Sequence, residues 1–346
     1  LHDAMELPKK AAAAITARIK VLSGMRLDEH RLPQDGRFGA ETAGEKISFR
    51  VSVLPTYYGE KIVMRLLRDS ISGFTLESIG FHGTALERMH DAMRKTTGMI
   101  LTTGPTGAGK STTLYTLLDI LNTPDLNIST VEDPIEYQMP RINQTQVRPE
   151  IGFTFANGLR SLVRQDPDII MVGEIRDKET ASLAINAALT GHLVLSTLHT
   201  NSASGAIARL LDMGVEPFLL VSTLRVIIGQ RLVRRLCKEK EEYQLSRDEQ
   251  TQLEHYIDPS NVLKSLKEEK AVAKDAVWGK TVPFYRPKET PECPTGYSGR
   301  IGIYEVLPVT ATIKEHVMKG AKGDDIEKQA KTEGMLTMSE DGVLRA

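Results

Sequence analysis

The chain has 346 residues, 40% of them hydrophobic, enough to bury a full core and, by length, to form two or three domains. Its 44 lysines and arginines face 45 acidic residues. That balance argues against direct nucleic-acid binding, because neutralising a phosphate backbone takes a cationic surplus. Cys237 and Cys293 are the only cysteines, too few for a disulfide framework and in keeping with a reducing compartment. No apolar run approaches the length of a membrane span, so no membrane insertion is expected and the cytoplasm is the simplest location. The opening residues, Leu1-His2-Asp3-Ala4, resemble neither a signal peptide nor a natural start, which points to a missing upstream domain.

Taken in chain order, Pro8 to Leu67 begins with a helical pattern and continues as short strands, in which Phe49, Val51 and Val53 alternate with Arg50 and Ser52. This predicts a small α/β domain over residues 1–70. The polar, glycine-containing stretch Asp69-Ser70-Ile71-Ser72-Gly73 reads as the start of a linker over residues 71–83.

From Met99 the pattern changes to apolar strands alternating with amphipathic helices, the mark of a mostly parallel sheet covered on both faces. Four runs are strand-like: Met99-Ile100-Leu101, Ile128 to Val131, Ile169 to Val172 and Leu193-Val194-Leu195. They define an α/β core over residues 84–236. The charged stretch Lys238 to Lys288 suggests an irregular insertion within 237–300, and residues 301–346 read as a short helical module.

Each core strand is followed by polar residues able to do chemistry, and open α/β sheets bind ligands beyond the carboxyl ends of their strands. Gly104-Pro105-Thr106-Gly107-Ala108-Gly109-Lys110-Ser111 fits the P-loop pattern, with an apolar strand before it and an amphipathic helix after it. Its glycines let backbone N–H groups face phosphate oxygens, and the helix N-terminus adds positive potential. Lys110 reaches the terminal phosphates, Ser111 ligates Mg²⁺ and Thr112 touches the inner phosphates. ATP with Mg²⁺ is the predicted ligand.

Phosphoryl transfer to water needs a metal ion, a positioned nucleophile and positive charge around the transferring group. Glu174 follows the strand Ile169 to Val172 and is the predicted base that orients or deprotonates water. The position before it, where many P-loop ATPases carry a metal-binding aspartate, is Gly173. Glu132, Asp133 and Glu136, after the neighbouring strand, become candidates for the metal's water shell and for the nucleophile, with a capped Asp-Pro turn as the alternative for Asp133. His199 stands where a γ-phosphate sensor would, whereas His192 precedes the strand and could pack or bridge subunits. Arg160 and Arg164 lie one helical turn apart, as arginine fingers or as a structural ion-pair row.

Four blocks, Gly104 to Ser111, Thr130 to Glu136, Gly173-Glu174 and Gly191 to His199, resemble in order and spacing the Walker A, aspartate box, Walker B and histidine box of the type II secretion and type IV pilus assembly ATPases. The likeness extends to Leu32 to Arg37, Arg50-Val51-Ser52, Arg160 to Asp168 and Gly296 to Glu305. It implies an α/β protein: a RecA-like P-loop ATPase domain preceded by a small α/β, PAS-like domain. It also implies a homohexamer whose opening and closing move an inner-membrane platform protein, with a cytoplasmic-ring adaptor as a further partner. Arg37 and Arg50 match family arginines that reach the nucleotide from the N-terminal domain. The segment Gly296 to Glu305 is that of extension rather than retraction motors. A related traffic ATPase for DNA uptake or conjugation is the alternative.

Extension members usually carry two Cys-x-x-Cys pairs that bind zinc. Here Lys240 stands three residues after Cys237 and Cys293 is alone, so four tetrahedral ligands cannot be assembled from cysteine. No structural zinc is expected, with the insertion held by packing instead.

Overall fold

The computed structural model describes residues 4–42, 45–68 and 73–345, the last with side chains throughout; for residues 42, 45, 46, 67 and 68 only the backbone is described. The chain divides into two compact units, Leu1–Ile71 with Glu136–Gln138, and Ser72–Ile135 with Met139–Ala346.

In the smaller unit, α1 (Ala12–Leu22) is followed by the antiparallel strands β1 (Gln34–Thr42), β2 (Glu45–Thr56) and β3 (Gly59–Arg68), ordered β1-β2-β3. Alternation along β2 buries Val51 and Val53 completely and sends Arg50 to the opposite face. Lys20 of α1 is buried; its ammonium lies 2.5 Å from Glu60 of β3 and donates to the Glu29 carbonyl at 2.7 Å. Burying such a charge is tolerable only when it is paired in this way.

The larger unit opens with α2 (Leu76–Ile79), α3 (Gly83–Met93), β4 (Gly98–Thr103), α4 (Lys110–Leu121), β5 (Ile128–Glu132) and β6 (Ile142–Gln146). There follow α5 (Phe155–Leu162), β7 (Ile169–Val172), α6 (Lys178–Leu189), β8 (Leu193–Leu198), α7 (Ala203–Asp212), α8 (Pro217–Thr223) and β9 (Leu224–Leu236). It continues through β10 (Lys240–Tyr243), α9 (Arg247–Glu254), α10 (Pro259–Glu268) and β11 (Phe284–Pro287). Last come β12 (Tyr297–Pro308), α11 (Ala311–Met318), α12 (Gly323–Thr332) and α13 (Met338–Leu344). A seven-stranded sheet ordered β12-β9-β4-β8-β7-β5-β6 forms its centre, and only the β9–β12 pair is antiparallel.

Every residue of β4, β5, β7 and β8 is buried, as expected for central parallel strands covered on both faces. Small residues of α6 and α7, among them Ala181, Ala184, Ala203 and Ala206, let these helices approach the sheet closely, and Leu159, Ile185, Ile207 and Leu210 fill the layer between.

Three boundaries differ from the sequence reading. Asp69 to Ser72 lie outside the described residues, but the rest of the expected linker is not a spacer. Leu76, Ile79 and Phe81 are buried, and Phe81 stacks on Tyr304 with ring centroids 3.8 Å apart. The region 237–300 is not irregular: Leu245, Ile257, Val262, Leu266, Val282 and Phe284 give it a small apolar core of its own. Residues 301–308, assigned to a helical tail, belong to β12, which pairs with β9 from Tyr297 to Pro308 and closes the main sheet.

The two cysteines are also not separate. A disulfide joins Cys237, just after β9, to Cys293, just before β12, across 56 residues, so packing is not the sole tie on the insertion, and the two cysteines no longer speak for a reducing compartment. A loop of that size constrains the unfolded chain, and loss of the bond through Cys293→Ser is expected to lower stability by roughly 2–4 kcal/mol, measured as a shift in urea midpoint. Elemental analysis is expected to find no stoichiometric zinc. One zinc per chain with two titratable thiols would replace this picture with a metal site.

Candidate nucleotide site

The loop between β4 and α4 is shaped by its glycines. Gly104 has φ 152° and Gly109 has φ 91°, a region that side chains other than glycine rarely occupy. A Cβ on Gly104 would stand 2.7 Å from the Gln230 carbonyl, and one on Gly109 would meet the Gln230 amide nitrogen at 3.2 Å. Gln230 of β9 is itself fully buried and donates to the Ala108 carbonyl at 2.8 Å. The cradle is thus fixed from β9 as well as from β4.

Lys110 opens α4 with only 8% of its surface exposed, and its ammonium donates to the loop's own Gly104 and Pro105 carbonyls at 2.7 and 3.2 Å. Burial is the largest influence on this group and holds its pKa below the ordinary lysine value; Glu174 opposes that and Arg231 adds to it. Ser111 is exposed at the first turn and Thr112 half-buried beside it.

Glu174 sits two residues beyond β7, with its side chain 12% exposed. One carboxylate oxygen lies 2.5 Å from the Arg176 guanidinium and the other 3.3 Å from His199 Nε2. The loop carrying it is fixed by main-chain bonds, Gly173 N–H to the Val131 carbonyl at 2.8 Å and Ile175 N–H to the Thr197 carbonyl at 3.0 Å. Thr103, at the end of β4, accepts from the Thr200 N–H at 2.9 Å and pairs with the Thr200 hydroxyl at 2.6 Å. The loop after β8, which carries His199, is thereby tied to the strand that feeds the cradle. A lysine in a glycine-formed anion cradle, a helix N-terminus and a glutamate paired with histidine all meet at the carboxyl ends of β4, β7 and β8.

The whole chain, residues 1–346, matches the family described as Type II/IV secretion system protein. It belongs to that family. It is 47% identical over 340 residues to the Type II secretion system protein E of Xanthomonas campestris pv. campestris, covering 98% of this chain and 57% of that protein. It is 44% identical over 345 residues to the Type IV pilus assembly ATPase PilB of Myxococcus xanthus, covering 99% and 58%. The chain therefore spans somewhat more than half the length of these relatives. Among solved structures, the pilus retraction motor PilT with bound ADP aligns at 28% identity and TM-score 0.57, over 90% of this chain and 77% of that one. The Legionella pneumophila ATPase DotB shares the fold, with TM-score 0.63 at 20% identity over 98% of this chain and 80% of DotB.

Within this family member, the residues singled out from the sequence fall into separate groups. Lys110, Glu174 and His199 converge. Glu132 does not reach solvent: it is 3% exposed, and its carboxylate accepts from the Tyr115 hydroxyl, from the Thr130 hydroxyl at 2.5 Å and from the Gln144 amide at 3.1 Å. β5 is covered on both faces to its last residue, so both oxygens of this carboxylate have protein partners. Asp133 is exposed. Glu136 falls in the segment Glu136–Gln138 that belongs to the smaller unit.

His192 lies before β8, at the strand end away from the cradle, and its Nδ1–H donates to the Pro167 carbonyl at 2.7 Å; that is a packing role. Arg160 pairs with Glu179 of α6 and donates to Asn157 at 3.1 Å, the ion-pair reading, whereas Arg164 is exposed. Arg37 and Arg50 are direct cross-strand partners in the smaller unit, and Arg65 of β3 continues the row. Arg65 extends this cationic row and was missed by the sequence reading. Arg176 was missed as well, although its place two residues after Glu174 was the available signal.

Glu305 of β12 is 4% exposed and accepts from the Ala203 N–H at the start of α7. Burial pushes its carboxyl up to about 7 from 4.5. The native state then holds this proton more tightly than the unfolded chain, so the contribution is full below 4.5 and is lost as pH rises through about 7, at most roughly 3 kcal/mol. Melting temperature is expected to fall across that window, and Glu305→Gln to flatten the fall. An unchanged slope in the variant would remove Glu305 as its source.

Proposed function

We propose that this chain is the ATP-hydrolysing, force-producing part of a homohexameric motor that assembles a type IV pilus or a type II secretion pseudopilus. The observation that carries this is the convergence of Lys110 in its glycine cradle with the Glu174–His199 pair. Relatives named for pilus assembly and type II secretion favour that machinery over DNA uptake or conjugation. The motor would work at the cytoplasmic face of the inner membrane, through a platform protein and a cytoplasmic-ring adaptor. No helix among the described residues is long and apolar enough to cross a membrane.

The cradle fits a triphosphate: its glycine backbone opens N–H groups toward the space a side chain would otherwise fill, and α4 adds the potential of its N-terminus. The Ser111 hydroxyl and the exposed Asp133 carboxylate would hold Mg²⁺, in one case directly and in the other through water. An ion carried mainly by phosphates and water needs few protein ligands. Mg²⁺ would neutralise charge on the transferring group. Lys110 would leave its loop carbonyls for the terminal phosphates, Glu174 would orient water and take its proton, and His199 would hold Glu174 in place.

Arg37, Arg50, Arg160 and Arg164 would complete the positive surround when domains and neighbouring subunits close, coupling occupancy to movement. The test is phosphate release from ATP and Mg²⁺ together with solution mass in the presence of nucleotide. Turnover by a species of six chains is expected. Nucleotide binding without turnover would make the protein a switch rather than a motor.

A further inference from the structure

β9 runs parallel to β4 with Thr103 opposite Gly229, so the next two residues, Gln230 and Arg231, project past the carboxyl end of β4, where the phosphate cradle begins. Gln230 pins β9 to the cradle through the Ala108 carbonyl. Arg231 lies directly against it: a Cβ on Gly104 would stand 3.4 Å from its Nη1. The guanidinium is close enough to Lys110 to lower the lysine's pKa.

Two cations side by side normally need an anion between or beside them. Among the described residues Arg231 has none. Its two hydrogen bonds run to neutral acceptors, its own Gln230 carbonyl at 3.3 Å and the Asn201 side-chain oxygen at 3.2 Å. No carboxylate among the described residues forms an ion pair with it. Both bonds are long for a guanidinium, whose fork is best satisfied by two oxygens of one carboxylate or phosphate. Asn201 is two residues beyond His199, so the guanidinium joins the cradle to the loop after β8, whose His199 pairs with Glu174.

We propose that Arg231 binds the terminal phosphate of the nucleotide, on the side of the cradle opposite Glu174, and that it lets the protein distinguish a nucleoside triphosphate from a diphosphate. Lys110 supplies a point charge from α4; Arg231 supplies a planar, two-pronged one from β9. The inference rests on the P-loop being the nucleotide site.

The test compares Mg·ATP and Mg·ADP affinity by calorimetry for the unaltered chain, Arg231→Ala, Arg231→Lys and Lys110→Ala. Losing a charge-assisted contact made only with the terminal phosphate should weaken ATP binding in Arg231→Ala by roughly 10- to 100-fold, with ADP affinity nearly unchanged. Arg231→Lys, which keeps the charge and loses the fork, should fall between. Should the alanine variant misfold, the lysine variant gives the same ATP-to-ADP comparison. Equal weakening of both nucleotides, or of neither, overturns the role of Arg231 while leaving the P-loop reading intact. Retention of ATP binding by Lys110→Ala overturns that reading and this inference with it.

Discussion

Glu174→Gln is expected to reduce ATP turnover by roughly 10²- to 10⁴-fold, the range that removal of a general base produces, while leaving nucleotide binding intact. The amide has the shape of the carboxylate; its oxygen can still accept from Arg176 and its NH2 can donate to an unprotonated His199 Nε2, so the loop after β7 should keep its course. What it loses is the capacity to take a proton from water. The carboxylate's present partners sharpen the argument, because Arg176 is 64% exposed and its ion pair is therefore screened and weak. The pair holds the glutamate in reserve without locking it. Arg176→Ala should accordingly change turnover far less than Glu174→Gln. Phosphate release at saturating ATP, with affinity measured separately, decides the matter: turnover within a few-fold of the unaltered protein would take Glu174 out of the chemistry, and Glu132, enclosed by Tyr115, Thr130 and Gln144, would not be its replacement.

The cradle was readable from the sequence because it is local. A strand, a glycine loop, a lysine and an amphipathic helix lie within some twenty consecutive residues, and Gly104 and Gly109 announce backbone conformations that few other residues accept. Four of the seven core strands were readable for a related reason, since strands buried on both faces are written as continuous apolar runs. β9 and β12 were not, because both are long and half polar: Leu224 and Val226 to Ile228 are apolar, but Arg225 interrupts them and Arg231, Arg234 and Arg235 follow in the same strand. Without β9 in place, nothing in the sequence sets Arg231 beside Lys110.

The charged insertion hid its core in the same way, through six apolar side chains scattered over forty residues between Leu245 and Phe284. Burial was the quantity least available from sequence. Glu132 reads as a reactive carboxylate at a strand end, and only the packing of α4 and β6 against β5 shows that its oxygens are already used. The pairing of Cys237 with Cys293 is likewise a consequence of β9 and β12 being neighbours.

Asp341→Leu is expected to destabilise the larger unit by about 3–5 kcal/mol, the cost of stripping one partner from a buried ion pair. Asp341 of α13 is 3% exposed and answers three donors: His82 Nε2 at 2.6 Å, the Tyr304 main-chain N–H at 2.8 Å and Arg345 Nε at 3.3 Å. The other imidazole nitrogen of His82 faces Glu269, beyond the end of α10, at 2.8 Å. A ring with a carboxylate at each nitrogen is held protonated. Burial is the largest single influence on His82 and opposes its charge, yet Asp341 and Glu269 outweigh it and the pKa lies above 6.5.

A raised histidine pKa contributes stability that is complete below 6.5 and disappears as pH rises through the folded-state value. The penalty of Asp341→Leu should therefore be largest in mild acid and shrink in alkaline buffer, and Asp341→Asn, which keeps the shape and loses the charge, should show the same trend at smaller amplitude. Urea midpoints across pH measure both. A penalty that did not vary with pH would mean that His82 is neutral and that Asp341 acts only by capping the Tyr304 N–H. The consequence reaches the nucleotide site, because Tyr304 lies in β12 opposite Gln230, and Gln230 is the side chain that fixes β9 to the P-loop. Loosening Asp341 should thus weaken nucleotide binding as well as the fold, although no atom of the cluster touches the cradle.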